Sequence, residues 1–212
     1  MTTTELLSLF RAEVFDTAAP YLWSDELAYG YIDDAQKQFC RDTYGIADAR
    51  SFKLAITPDV EWYKTDVRIT KLRGAYFQAT GQEVPVVAME KMVQQNMRFD
   101  GGKAPLKALI SGLEDNVLRA WPIPNIACTV ELRVFRLPDD VAAGDDLEID
   151  PRHHRHLLHW VKHLAYNVQD SETYDAKASE KFKALHTEYC FKAKLEASRA
   201  MHPAGTVIYG GI

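Results

Sequence analysis

Residues 149–201 constrain the fold most, because they read as two amphipathic helices joined by a short polar turn. Asp150 suits an N-cap and Pro151 the first helical position, where a proline gives up no helical hydrogen bond. In the first arm Leu157, Leu158, Val161, Leu164, Ala165 and Val168 recur at helical spacing and share one apolar face, flanked by Trp160. Ala178, Phe182, Leu185, Tyr189 and Ala193 make a similar stripe on the second arm. The turn, QDSETYDA, is short enough to set the arms antiparallel.

The opposite face of the first arm carries His156, His159 and His163. Histidines at i and i+4 can share a metal, and His159 with His163 has that spacing. No Glu follows His159 in the HExxH manner, and no third ligand is evident. The favoured reading is a wet or neighbour-facing helix surface, with no metal and no cofactor. Phe191 and Leu195 lie off the core stripe of the second arm and form an apolar patch suited to a subunit contact.

Upstream, TTTELLSLFRAEVFD reads as a short helix with Leu6, Leu9, Phe10 and Val14 inward and Thr4 as its cap. Pro20 breaks the chain, and Ser24 caps a second helix that buries Leu27, Tyr31, Ala35 and Phe39 and ends near Gly45. From Ser51 the period changes from 3.6 to 2. SFKLAIT, VEWYK, DVRITKLRGAYF, VPVVAM and CTVELRVFRLP read as strands, whereas residues 106–121 have no clear period. The acidic DDVAAGDDLEID that follows lacks EF-hand spacing and reads as a solvated loop. The expected fold is α+β: a helical scaffold of N-terminal helices plus a C-terminal antiparallel helical hairpin, an inserted small antiparallel β unit, and an extended C-terminal tail. The expected boundaries are 1–50 with 149–202 for the scaffold, 51–148 for the insert and 203–212 for the tail.

Function classes are narrowed mostly by exclusion. A net charge of −5 argues against a basic nucleic-acid-binding surface. Cys40, Cys128 and Cys190 are odd in number and widely spaced, which reads as buried thiols made in a reducing compartment. The sequence holds no signal peptide, no apolar run of membrane length, and no GxGxxG, P-loop or GxSxG motif. A protein without enzymatic chemistry, assembled in the cytosol, is expected. Pro203 stops the last helix, and the tail (Thr206, Val207, Ile208, Tyr209, Gly210, Gly211 and Ile212) combines β-formers with glycine, as a strand-adding or groove-docking peptide needs.

Four segments carry a family resemblance, in order. PYLWSDELAYGYIDDAQKQFCRD, FKLAITPDVEWYKTDVRITKLRGAY, DLEIDPRHHRHLLHWVKHLAYNVQDSETYDAKASEKF and GTVIYGGI together resemble the head–tail adaptor (connector) proteins of tailed bacteriophages. The resemblance implies a virion protein at the head–tail junction, assembled in the host bacterial cytoplasm. It implies a self-associated ring, typically of twelve copies, that joins the portal protein to a tail or nozzle protein while double-stranded DNA passes unbound. On that reading His156, His159, His163, Phe191 and Leu195 face neighbours or the lumen, and residues 206–212 reach the portal. Two other readings stay open: a metal-dependent enzyme built on the three histidines, and a monomeric phage assembly factor.

Overall fold

The computed structural model describes residues 1–94, 102–169 and 173–201. The chain forms two compact units, residues 1–45 with 138 onward, and residues 46–137.

In the first unit, helix α1 (Thr3–Glu13) begins with a capping box. The Thr2 hydroxyl accepts the Glu5 N–H at 3.2 Å while the Glu5 carboxylate accepts the Thr2 N–H at 3.0 Å. Thr2, and not Thr4, is therefore the cap. Helix α2 (Asp25–Asp42) is capped by Ser24, with Asp25 and Glu26 at the positive end of its dipole. Its buried face is Ala28, Ile32, Ala35, Gln36, Phe39 and Cys40, while Leu27 is exposed.

The second unit holds β1 (Ile46–Ile56), β2 (Trp62–Lys64), β3 (Ile69–Phe77), β4 (Glu83–Val84), β5 (Val86–Ala88), helix α3 (Met89–Gln94), β6 (Lys103–Ala104), β7 (Ala108–Ser111), β8 (Val117–Trp121), β9 (Ile123–Pro124) and β10 (Cys128–Arg136). One four-stranded sheet runs β1-β10-β3-β4 and another β2-β8-β7-β5, with β6 and β9 paired apart. Both larger sheets contribute to one core: Leu54, Ile56, Val130, Leu132 and Val134 from the first meet Leu109, Leu118 and Ala120 from the second. Val130, Leu132 and Val134 alternate inward along β10, as a half-buried strand requires. A bulge between Asp48 and Phe52 interrupts β1. Burial opposes charge on the Asp48 carboxyl there. The Ser51 and Arg50 amides and Arg136 outweigh it and hold that pKa well below the usual carboxylate range. The Tyr63 hydroxyl closes the β1–β2 turn, accepting the Thr57 N–H at 3.1 Å and lying 2.9 Å from the Val60 carbonyl.

Returning to the first unit, residues 151–156 form a 3₁₀ turn capped by Asp150. Helices α4 (Leu157–Asn167) and α5 (Ala176–Met201) follow. The Asp175 carboxylate accepts the Lys177 and Ala178 N–H groups at 3.0 Å each, which starts α5. Trp23 is the hub of this unit's core. It packs edge-on against Phe10 and Tyr166, with ring centroids 5.5 and 5.8 Å away, and donates its Nε1–H to the Ala165 carbonyl at 3.1 Å. Beside it the buried Arg11 guanidinium binds Asp16, Asp25 and the Trp23 carbonyl and lies on the Tyr21 ring. Glu13 pairs with Lys162 across α1 and α4.

The expected fold is overturned in its particulars. In place of one small antiparallel β unit inserted in a scaffold of N-terminal helices and a C-terminal helical hairpin, the described residues form five α-helices and ten strands in three sheets. Two of the pairings, β5 with β7 and β6 with β9, are parallel. Strands of two to four residues are too short to show a period, and parallel pairing across a crossover leaves no local mark in sequence. The last two helices are unequal, 11 residues against 26, and α5 buries Ser179, His186, Cys190 and Ala193, so that of the expected stripe Ala193 is buried, Ala178, Phe182 and Tyr189 are half-buried and Leu185 is exposed. The acidic segment is not simply solvated: its Ala142 carbonyl accepts from the Thr3 hydroxyl, its Val141 amide donates to Asp33, and Asp140 pairs with Lys37. The expected docking tail, residues 203–212, lies outside the described residues.

Trp23→Ala should lower the unfolding free energy by about 3–5 kcal/mol, since it removes a buried indole and its hydrogen bond together. Urea titration followed by helical circular dichroism measures it; an unmoved midpoint would show that Trp23 is not the hub.

Candidate functional site

The surfaces with the most chemistry lie along α4 and α5. The first-arm histidines that sequence places opposite the leucines turn towards α5 of the same chain. His156 stacks on Tyr189 with centroids 3.6 Å apart, and His159 lies parallel to Phe182 at 6.5 Å. His163 Nδ1 lies 2.8 Å from the Ser179 hydroxyl, which in turn donates to the His163 carbonyl at 3.1 Å. His153 Nδ1 lies 2.8 Å from the Tyr189 hydroxyl. Trp160 donates its Nε1–H to Asp34 at 3.0 Å and packs against His186 at 4.9 Å.

Burial pushes the pKa values of His153, His156, His159, His163 and His186 below the ordinary histidine range. Neighbouring cations add to this: Arg155 beside His156, and Lys162 beside His159. The seam is therefore a set of neutral imidazoles at neutral pH, bonded to hydroxyls and stacked on aromatic rings.

His156, His159 and His163 do not bring their ring nitrogens together as a ligand set. Among the described residues the group that does converge is Asp42, His186 and Cys190, whose ligand atoms all lie within 4.8 Å of one another. Sequence reading missed this group. Its one local trace is the i, i+4 spacing of His186 and Cys190; Asp42, at the end of α2, is remote in sequence. These three do not make a nucleophilic relay. Asp42 Oδ2 and Cys190 Sγ both lie 3.3 Å from the same ring nitrogen, His186 Nε2. A relay needs the orienting acid on the other nitrogen. Burial also pushes the Cys190 thiol up to about 12, so it is no thiolate nucleophile.

Phe191 and Leu195 stand out on the far side of α5, 64% and 42% exposed. A second exposed apolar site is a groove of about 500 Å³ along α2, lined by Ser24, Glu26, Leu27, Gly30 and Tyr31. A side chain added at Gly30 would meet nothing within 4 Å, so the groove floor is open there.

The sequence profile of the SU10 adaptor protein family matches residues 1–206, nearly the whole chain. The chain belongs to this family. SU10 adaptor proteins are phage head–tail adaptors, which makes this chain a structural component of a phage particle. No curated protein matches it. Among the adaptor's described residues no helix is long and apolar enough to cross a membrane.

The adaptor's neutral histidines couple its stability to pH. Their folded pKa values lie below the unfolded value of about 6.5, so the unfolded chain binds more protons as pH falls through that value. Stability is full above about pH 6.5 and declines as pH falls below it, a window that opens above the range where ordinary carboxylates titrate. The urea midpoint of the helical signal should drop across that window, and less so in a His156→Gln, His159→Gln variant. A flat profile in the native protein would contradict the neutral-seam assignment.

Proposed function

We propose that this adaptor closes into a ring, typically of twelve copies, that joins the portal to the tail or nozzle protein. The observation that carries the proposal is the family match over residues 1–206. Two exposed surfaces of the helical unit supply the means. A ring needs a heterologous contact, in which each subunit offers two different surfaces. We assign the Phe191–Leu195 patch of one copy to the α2 groove at Leu27, Gly30 and Tyr31 of the next. The rings of His156, His159 and His163 already contact α5 of their own chain, which leaves their outer edges to border that contact or the lumen.

The lumen is proposed to let double-stranded DNA slide without binding. A net charge of −5 per subunit, repeated around the channel, supports this, because acidic walls repel phosphates. Residues 46–137 are proposed to meet the next tail component. Residues 206–212 are proposed to dock on the portal, by virtue of Val207, Ile208 and Tyr209 between glycines.

Two variants separate these roles. Phe191→Glu with Leu195→Glu should leave the subunit folded, since both side chains are exposed, while removing about 3 kcal/mol of apolar burial at each neighbour contact, or ~100-fold in its affinity. Electron microscopy of portal-containing capsids should then show no adaptor ring. Deleting residues 206–212 should leave a folded subunit that no longer co-sediments with those capsids. Wild-type occupancy in either variant would remove the corresponding surface from the assignment.

A further inference from the structure

Three metal-ligating atoms of different chemistry converge where α5 crosses the end of α2. His186 is 1% exposed and Cys190 2%, so both donors are withdrawn from water, while the Asp42 side chain keeps 36% of its surface and leaves one open side. Nε2 of His186 lies 3.3 Å from both Asp42 Oδ2 and Cys190 Sγ. A tetrahedral zinc ion, with bonds of about 2.3 Å to sulfur and about 2.0–2.1 Å to nitrogen and oxygen, sets such donor pairs roughly 3.3–3.6 Å apart. The two donor pairs that share His186 Nε2 are thus already spaced as two edges of its coordination shell, and the third pair lies within 4.8 Å.

Two further features fit a cation at this point. Asp42 is the last residue of α2, so the site lies at the negative end of that helix dipole. His186 Nδ1 is buried and has no hydrogen-bond partner, so nothing there forces it to be the acceptor nitrogen. It can carry the ring proton and leave the Nε2 lone pair to a metal. The Gln38 amide donates to both Asp42 oxygens at 3.1 Å and so orients the carboxylate from behind.

We propose that Asp42, His186 and Cys190 bind a divalent cation of the zinc class and thereby clamp α5 to the end of α2. One nitrogen, one sulfur and one oxygen donor select zinc or cobalt over calcium or magnesium, which take oxygen ligands. Three protein donors leave a fourth position on the Asp42 side for water. Binding replaces the Cys190 S–H bond with a metal–sulfur bond and releases that proton to solvent. The site is independent of the ring and portal assignments, since it concerns the isolated subunit.

The test uses the full chain, treated with chelator and then titrated with Co²⁺. One equivalent should bind and produce the thiolate-to-cobalt charge-transfer absorption, and Zn²⁺ should displace it. Alkylation of Cys190 in the wild-type chain, followed by mass spectrometry, should be at least ~10-fold slower with Zn²⁺ bound than after chelator treatment, a comparison that needs no variant to fold. Cys190→Ala should abolish the absorption, Asp42→Asn should weaken binding by at least ~10-fold, and Cys128→Ser should leave both unchanged. No stoichiometric uptake by the wild-type chain, or a charge-transfer band that persists in Cys190→Ala, would overturn the proposal.

Discussion

Ile46 and Arg136 are partners in the antiparallel β1–β10 ladder, so the chain enters and leaves residues 46–137 at neighbouring strand ends. That pairing favours the helical unit, because its two halves are separated in sequence by everything between. Closing a long flexible loop costs conformational entropy that rises with loop length. Folding of residues 46–137 replaces that loop with a short span between paired residues. The Arg136 guanidinium bound to Asp48 fastens the same strand ends. With the span set, contacts of very long sequence separation become cheap to form. Trp23 meets Ala165, Glu13 meets Lys162, and the Thr3 hydroxyl meets the Ala142 carbonyl.

The helical unit is held by two kinds of packing. Around Trp23 it is an aromatic core with a buried ion pair, where loss of one partner would strand the other in a low dielectric. Between α4 and α5 it is a seam of histidine, serine, tyrosine and tryptophan. A hydrogen bond contributes a net of only about 0.5–1.5 kcal/mol, so this seam adds less per contact than apolar burial does. What it adds is direction. The His163–Ser179 bond sets the register of α5 on α4, and the His153–Tyr189 bond ties α5 to the preceding 3₁₀ turn.

Sequence made the local devices legible and the long-range ones obscure. Ser24 capping α2, Asp150 capping the 3₁₀ turn that Pro151 opens, and the inward alternation of Val130, Leu132 and Val134 all follow from residues close in the chain. The buried side of α5 did not, because the apolar stripe rule looks for leucines, while that helix turns Ser179, His186 and Cys190 inward and leaves Leu185 at 36% exposure. The histidines of α4 were visible as a face, but their partners Ser179, Phe182 and Tyr189 could be assigned only once the helices were placed. Asp42 joins His186 and Cys190 across most of the chain, a proximity that no spacing encodes. Residues 106–121 were ambiguous because β7 buries Ala108, Leu109 and Ile110 in a row, and because β8, whose burial does alternate, carries the apolar Val117 and Trp121 on its less buried side.

Helix α5 outlasts its full burial. Its last buried residue is Ala193, yet the helix continues to Met201. At ~1.5 Å per residue those final two turns carry the chain roughly 12 Å past the last buried anchor. Ala197, Ser198 and Met201 are only half-buried, so the end of the helix is held more loosely than its middle, and a slight tilt at the seam sweeps Met201 through a proportionally larger arc.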